Sequence, residues 1–261
     1  MGRVIVALSG GKASAWCANY AFNNYSKEDI ILYFNDTKWE HIDLYRFLDD
    51  LSNYWDHPIK YDSDGRSPEQ LFYDHKAIAN NRMPFCSRIL KAERLHQFYK
   101  DGDILIFGID SQERQRVNRI IGVYQTIAVK TGKWPRLEFP LITENITKKD
   151  IDTFLEKAGI RQPLLYDLGF SHNNCSGGCV RAGKKQWKML YEKLPEVYYD
   201  RERMEREFMN YFQKRATIFK DESLEEFRTR IEKGNLSAHY KDENNSKQLS
   251  FECIGICNSE A

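Results

Sequence analysis

The sequence predicts an α/β fold, in which a parallel twisted sheet carries helices on both faces. Two observations lead to this prediction: short β-branched runs alternate with segments of helical spacing, and polar loops follow three of those runs, after Leu8, Phe34 and Phe107. Strands that alternate with helices form parallel sheets, and ligands bind beyond the carboxyl ends of such strands. We therefore expect a ligand site where the three loops meet.

Four short apolar runs predict the strands. Residues 3–8 are β-branched and end in Ser-Gly-Gly, residues 29–34 and 103–108 are similarly apolar, and residues 57–61 form a weaker candidate. Buried strands of parallel sheets have this continuous apolar character. Apolar residues at helical spacing, with polar caps and glycine stops, predict the intervening and following helices. These helices cover residues 13–25, 41–54, 68–76, 86–99, 113–129 and 147–159.

The composition of the chain changes near residue 165. Residues 166–183 are rich in glycine, asparagine and cysteine, and residues 184–233 are charged and have mostly helical character. We predict a nucleotide-binding α/β domain over residues 1–165 and a cysteine-containing, mainly helical segment with a tail over residues 166–261.

Charge and hydropathy exclude several classes of protein. The 261 residues carry a formal net charge of +1, which gives no global attraction to nucleic acid. This balance is still compatible with a basic patch on one face of the protein. No apolar run approaches the roughly 20 residues that cross a bilayer, and the N-terminus does not resemble a signal peptide. We expect a cytoplasmic protein, in which the six cysteines serve metal binding or redox chemistry rather than a disulfide framework.

The loop Ser-Gly-Gly-Lys-Ala-Ser at residues 9–14 has the chemistry of a phosphate site. Its glycines allow backbone N–H groups to approach an anion, the following helix adds a partial positive charge, and its serines and Lys12 add donors. The spacing is neither that of a Walker A loop nor that of a dinucleotide-binding fingerprint. On loop chemistry alone, an ordinary turn with a helix cap is the alternative.

Five blocks in order give the chain a resemblance to a known superfamily. It resembles the PP-loop (N-type) ATP pyrophosphatases, and within them the phosphoadenosine phosphosulfate reductase-like branch that often occurs in phages and mobile elements. The blocks are residues 9–14, 34–41, 86–91, 108–116 and 165–183. Two positions depart from the pattern: Ala13 stands where many members have an acidic residue, and Lys38 stands where glycine is usual.

The resemblance implies an adenine-nucleotide site built from these blocks, with Mg²⁺. The nucleotide would be ATP, or else phosphoadenylyl sulfate (PAPS) or adenylyl sulfate (APS). The expected binding residues are Ser9, Gly10, Gly11, Lys12, Ala13, Ser14, Asn35, Asp36, Thr37, Arg88, Lys91, Gly108, Asp110, Glu113 and Arg116. Lys12 and Arg116 are the expected catalytic cations, because they can stabilise developing phosphate charge. The alternative for Arg116 is an ordinary ion pair with Glu113.

The cysteines predict a metal site. Two pairs with three intervening residues, together with Cys86, supply the four thiolates that a [4Fe–4S] cluster needs. Assimilatory adenylylsulfate reductases and DNA phosphorothioation enzymes, which the chain resembles, carry such a cluster on analogous cysteines. The expected ligands are Cys86, Cys175, Cys179 and Cys257, with Cys253 as the alternative tail ligand. Structural zinc or free, redox-active thiols are the other interpretations.

Three functions are compatible with these residues. The first is ATP cleavage between the α- and β-phosphates, which would adenylate an acceptor or support sulfur transfer. The second is reduction of PAPS or APS, with Cys253 as nucleophile and thioredoxin as reductant. The third is a nucleotide-sensing accessory protein of a phage or defence system. Ala13, in place of the usual acidic residue, is compatible with a loop that binds the nucleotide without cleaving it. The sequence leaves a homodimer open as well.

Overall fold

A computed structural model of the chain describes residues 2–110 and 113–234. Within them, one sheet has five parallel strands in the order β3-β2-β1-β4-β5. The strands are β1 (Val4–Leu8), β2 (Ile30–Asn35), β3 (Ile59–Asp62), β4 (Ile104–Ile106) and β5 (Arg136–Glu138). The predicted α/β fold is confirmed, and the four predicted strands lie within two residues of their expected bounds.

Helices cover both faces of the sheet and form the C-terminal part of the described chain. They are α1 (Lys12–Asn24), α2 (Ile42–Trp55), α3 (Pro68–Asp74), α4 (Phe85–Ser87), α5 (Glu93–Phe98), α6 (Arg114–Thr131), α7 (Pro140–Thr143), α8 (Lys148–Ala158), α9 (Leu164–Asp167), α10 (Lys184–Lys193), α11 (Pro195–Phe212) and α12 (Leu224–Glu232). A π-helical turn, Arg88–Ala92, joins α4 to α5. Such turns widen a helix and are frequent at functional sites.

The two faces of the sheet bury separate apolar clusters. Val6 and Leu32 point toward the cluster that α1, α2 and α8 complete. Ile5 and Leu105 point toward the opposite cluster, which residues of α5 and α6 complete. Successive side chains of a strand alternate between faces, so burial on both faces explains the continuous apolar runs in the sequence.

A third apolar cluster joins the C-terminal helices to the first half of the chain. Trp39 and Phe72 pack in one buried group with Trp187, Tyr198 and other residues of the C-terminal segment. The segment that begins near residue 166 therefore packs on residues 39–79, and the boundary at residue 165 stays a prediction. No helix in the described ranges is long and apolar enough to span a membrane.

Candidate functional site

The turn between β1 and α1 depends on Gly10. Its backbone has φ +76°, in the left-handed region, and an ideal Cβ there would lie 2.5 Å from Cδ1 of Leu44. Only glycine adopts this conformation readily, and only a residue without a side chain fits against Leu44. The chain can therefore turn tightly from the strand into the helix.

The hydroxyl groups of the loop hold the turn from inside. Ser14 Oγ accepts a hydrogen bond from Ser9 N at 3.1 Å and donates to Gly11 O at 2.9 Å. Gly11 is the N-cap residue of α1 and, as a glycine, provides no side-chain cap; its own N–H donates to Ser9 Oγ at 3.4 Å. The N–H groups of the first helical turn thus remain suited to an anionic ligand, which the helix dipole also favours.

Two distant segments pack against this loop. An ideal Cβ on Gly108, which follows β4, would lie 2.9 Å from Ser14 N, so glycine permits the close approach of the two loops. Asn173 is buried and donates a hydrogen bond from Nδ2 to Gly10 O at 2.8 Å. Sequence reasoning missed Asn173, because a contact across 163 residues leaves no local pattern.

Lys12 is held by residues that follow the sheet. Its Nζ lies 2.5 Å from Asp152 Oδ1 and 2.8 Å from Gln162 Oε1, and 4.8 Å from the centre of the Tyr166 ring. The ammonium group is thus already compensated by a carboxylate in this structure. Its expected contact with phosphate stays a prediction and requires an exchange of partners.

Asn35 ends β2 beside the loop. Its side chain is buried, and Nδ2 lies 3.3 Å from both Tyr33 Oη and Asp62 Oδ2. Arg94 donates two hydrogen bonds to the carboxylate of Asp62, at 2.7 and 2.8 Å. This network fixes the orientation of the Asn35 amide at the carboxyl end of the sheet, where the fold predicts a ligand.

Asp36 and Thr37 continue from β2. Asp36 Oδ1 accepts hydrogen bonds from Tyr45 Oη at 2.9 Å and from Lys38 N at 2.7 Å. The second bond closes an Asx turn, in which the side chain of an aspartate takes the place of a backbone carbonyl. Thr37 is buried and donates from Oγ1 to Glu40 Oε1 at 3.0 Å. Thr37 is therefore part of the support for the loop that follows.

A small cavity brings together residues from three of the predicted blocks. Ser9, Asn35 and Lys91 all line this space of about 30 Å³. Lys91 also lines a second cavity, where cysteines lie. Its side chain is 7% exposed, so a buried cation lies between the loop of residues 9–14 (the nucleotide loop) and the thiols.

Glu40 connects Lys91 to the C-terminal segment. Its side chain is fully buried; Oε1 lies 3.2 Å from Lys91 Nζ, and Oε2 accepts from Cys175 N at 2.9 Å. A buried carboxylate with a cationic partner and two further donors is well compensated. Sequence reasoning did not identify Glu40 as a site residue, although it lies in the 34–41 block.

Three cysteines line the second cavity, which has a volume of about 20 Å³. They are Cys86, Cys175 and Cys179, with Lys91 and Arg181 beside them. Cys175, Ser176 and Gly177 all have positive φ, between 50° and 83°. This backbone is costly for the first two residues, and the hydrogen bonds that Glu40 and Trp39 accept from this turn hold it.

The pKa values of the Cys175 and Cys179 thiols are shifted in opposite directions. The hydrogen bond from Cys175, aided by the backbone N–H and charge of Arg181, lowers the pKa of Cys179 to about 7. The same hydrogen bond and burial raise the pKa of Cys175. The Cys179 thiol therefore loses its proton more readily than an ordinary cysteine, as a metal ligand or nucleophile requires.

The iron–sulfur cluster, structural zinc and free thiols all stay predictions for this cavity. The described residues contain no group of three His, Cys, Asp or Glu side chains that could hold a metal ion. The cysteine that would complete the set, Cys257, lies outside the described residues, as does Cys253, so these assignments stay predictions.

The remaining predicted site residues lie in two places. Arg88 is 43% exposed and pairs with Glu93 at 2.6 Å, so it is available to solvent. Glu113 and Arg116 form the ion pair that was the alternative for Arg116, but the pair is almost completely buried rather than at the surface. Asp110 ends the described part of its loop, since residues 111 and 112 lie outside it.

The charge of Arg116 also acts on a histidine of the C-terminal segment, His172. Burial, with the charges of Arg116 and Lys148, lowers the pKa of His172 to about 4. His172 is thus neutral at physiological pH, near a buried arginine and one residue before the loop-binding Asn173. The 108–116 block and the 165–183 block therefore meet beside the nucleotide loop.

The comparisons with known proteins agree with this geometry. A family model described as the phosphoadenosine phosphosulfate reductase domain matches residues 3–185. No curated protein and no solved structure matches the chain. The matched range contains β1 to β5, the loop before α1 and all three cysteines of the thiol cavity.

Proposed function

Since the chain belongs to the phosphoadenosine phosphosulfate reductase domain family, we propose that it binds ATP at residues 9–14 and cleaves it between the α- and β-phosphates. AMP is transferred to an acceptor or activates a group for sulfur transfer, and pyrophosphate leaves. The uncapped end of α1 beside Gly10 and Gly11 carries this proposal, because it offers N–H groups to the phosphates.

Residues of the other blocks would complete the nucleotide site. Asn35 lies beside Ser9 and would hydrogen-bond the ribose or the adenine. Asp36 has its Oδ2 outside the Asx turn, and Mg²⁺ is typically held by one or two carboxylates together with substrate phosphates. Lys12 and Arg116 would stabilise the charge that develops on the leaving pyrophosphate, each after exchanging its present carboxylate partner.

The thiol cavity would hold the [4Fe–4S] cluster. Cys86, Cys175 and Cys179 supply three ligands of suitable chemistry, and Cys257 is the proposed fourth. When bound, such a cluster supplies electrons or a fixed local charge next to the nucleotide. Lys91 lies between both cavities and, with Glu40, would set the relative position of the two sites.

Incubation of the purified protein with Mg²⁺ and ATP tests the proposal. With water as the acceptor in this mixture, we expect AMP and pyrophosphate in equal amounts. A Ser14→Ala variant should form them more slowly, because the turn loses the hydrogen bonds of this hydroxyl with Ser9 and Gly11. Ser52→Ala is a suitable control, since Ser52 also donates to a backbone carbonyl but at the far end of α2. Formation of ADP and phosphate, or tight ATP binding without any product, would contradict ATP cleavage at the α-phosphate.

Sulfonucleotide reduction is the second candidate, because the matched family is described by that reaction. In this reaction the Cys253 thiolate would attack the sulfur of PAPS or APS and displace the nucleotide. Thioredoxin would then reduce the resulting S-sulfocysteine and release sulfite. Sulfite release that requires thioredoxin and disappears in Cys253→Ser would establish this function in place of the first.

A further inference from the structure

Three residues surround the ammonium group of Lys12, which is the only charged side chain of the nucleotide loop. Its Nζ donates to Asp152 Oδ1 at 2.5 Å and to Gln162 Oε1 at 2.8 Å, and it lies 4.8 Å from the centre of the Tyr166 ring. A carboxylate, an amide oxygen and an aromatic face each attract a cation. We call Asp152, Gln162 and Tyr166 the Lys12 cage.

One wall of the Lys12 cage is fixed to α2. Leu164 N donates to Asp43 Oδ2 at 2.7 Å, and Arg46 Nη2 donates to the carbonyl oxygen of Gln162 at 3.1 Å. The side-chain amide of Gln162 is oriented as well, because its Nε2 donates to Asp167 Oδ1 at 2.6 Å and an ionised carboxylate can only accept. Oε1 of Gln162 therefore faces the ammonium group because of the surrounding fold, and the cage is more than an encounter of two flexible side chains.

Lys12 can leave this cage at little cost. Its side chain is 20% exposed and that of Asp152 is 47% exposed, and ion pairs between solvent-exposed groups contribute little to stability. The other expected catalytic cation, Arg116, is held more firmly, because its pair with Glu113 is almost completely buried. Lys12 is also the first residue of α1, so its flexible side chain starts at the helix end that is suited to phosphate. The ammonium group can therefore bind either the cage or a phosphate at this end.

We propose that Asp152 is a positioning residue that competes with the nucleotide phosphates for Lys12. Without nucleotide the ammonium group lies in the cage; it passes to the polyphosphate of a bound nucleotide and returns to Asp152 when pyrophosphate leaves. This competition weakens the binding of polyphosphate and so favours product release, whereas adenosine carries no phosphate and leaves Lys12 in the cage. The inference deepens the proposed function and rests on it in one respect, namely that the phosphates bind at residues 9–14.

Calorimetric titration of the full chain with Mg²⁺ and α,β-methylene ATP, which cannot be cleaved between those phosphates, tests the proposal. Asp152→Asn keeps the shape of the side chain and removes its charge, so it should bind the analogue about two- to fivefold more tightly and adenosine with unchanged affinity. The matched control is Glu156→Gln, which removes the same charge from an exposed position one helical turn further along α8, outside the Lys12 cage. Unchanged or weaker binding of the analogue by Asp152→Asn, or an equal gain with Glu156→Gln, would overturn the proposal.

A double-mutant cycle separates this competition from a general effect of charge. In a Lys12→Met background, Asp152→Asn should leave the affinity for the analogue unchanged, because no ammonium group is left to release. A gain that persists in this background would show that Asp152 acts only through its charge, and it would refute the competition. If Lys12→Met does not fold, Lys12→Gln provides the same test. The expected coupling in a protein that leaves ATP intact would refute only the proposed function, and ATP cleavage without the coupling would refute only the role of Asp152.

Discussion

At the residue scale, Gly10 is the position where the nucleotide loop is most easily tested. Gly10→Ala places a Cβ 2.5 Å from Leu44 in a left-handed conformation. Gly132→Ala, at the end of α6, meets the same left-handed strain (φ +72°) in open space. We expect Gly10→Ala to lower the free energy of unfolding by about 1–3 kcal/mol more than Gly132→Ala, since overpacking adds to the strain.

The same pair of variants separates stability from binding. Gly10→Ala should weaken ATP binding at least about tenfold in calorimetry, because the backbone N–H groups can no longer converge on the phosphates. Gly132→Ala should leave the affinity unchanged. Equal affinities in the two variants at a temperature where both are folded would show that the loop does not bind the nucleotide.

The cysteines give a second prediction at this scale. Protein purified without oxygen should contain iron and show the visible absorption of an iron–sulfur cluster. Changing Cys86, Cys175 or Cys179 to Ser should abolish both, whereas Cys17→Ser, in the core of α1, should not. Zinc in place of iron would contradict the cluster, and equal iron content in all four variants would contradict the assigned ligands.

The sequence identified residues that form local patterns and missed those that support them from a distance. Gly10 and Ser14 are recognisable because a strand, a tight turn and a helix start follow one another within the loop. Glu40 and Asn173 carry equally specific hydrogen bonds, across 135 and 163 residues. Both residues lie in recognised blocks, 34–41 and 165–183, but only the folded chain shows which partners they bind.

At the element scale, a continuous buried apolar run determined which strands could be predicted. β1 and β2 have five and six residues and are buried on both faces, so their apolar runs are unmistakable. β5 has three residues, begins with the exposed Arg136 and joins the sheet through backbone pairing with β4. β4 is equally short, but it is fully buried and lies in the apolar run 103–108, whereas two of the three residues of β5 are charged, so no apolar run indicates it. The π-helical turn in the predicted helix 86–99 was equally invisible.

The link between α11 and α12 predicts a pH effect on stability. Glu205 of α11 is buried and accepts hydrogen bonds from Ile218 N and Leu224 N. Burial raises its pKa from 4.5 to about 7. The folded state therefore holds this proton more tightly than the unfolded state, and the stability it contributes is complete below about pH 4.5 and is lost as the pH rises through about 7.

Glu205→Gln should remove this pH dependence. Between about pH 5 and pH 8 the free energy of unfolding of the parent protein should fall by about 2–3 kcal/mol more than that of the variant. Glu207→Gln, an exposed neighbour on α11 that pairs with Arg203, is the control and should follow the parent protein. Denaturant titrations across this pH range measure the difference, and parallel curves for the parent and Glu205→Gln would refute the assignment.

At the scale of the whole molecule, the C-terminal segment and the loops that follow the strands both contribute residues to the candidate site. Trp39 and Phe72 bury themselves among the C-terminal helices, and the turn at Cys175 is held by Glu40, which follows β2. The nucleotide loop and the thiol cavity are therefore neighbours at the carboxyl end of the sheet. The alternation of strands and helices, with polar loops after three strands, predicted that end of the sheet, but the sharing of Lys91 between the two cavities depends on tertiary packing.

The most direct test of the central claim is a crystal structure with α,β-methylene ATP, an analogue that cannot be cleaved between those phosphates. We predict phosphate oxygens within hydrogen-bond distance, about 2.7–3.2 Å, of backbone nitrogens at the start of α1, with the adenosine extending toward Asn35. A structure with the analogue bound elsewhere, or with this loop closed and empty at saturating analogue, would contradict the account.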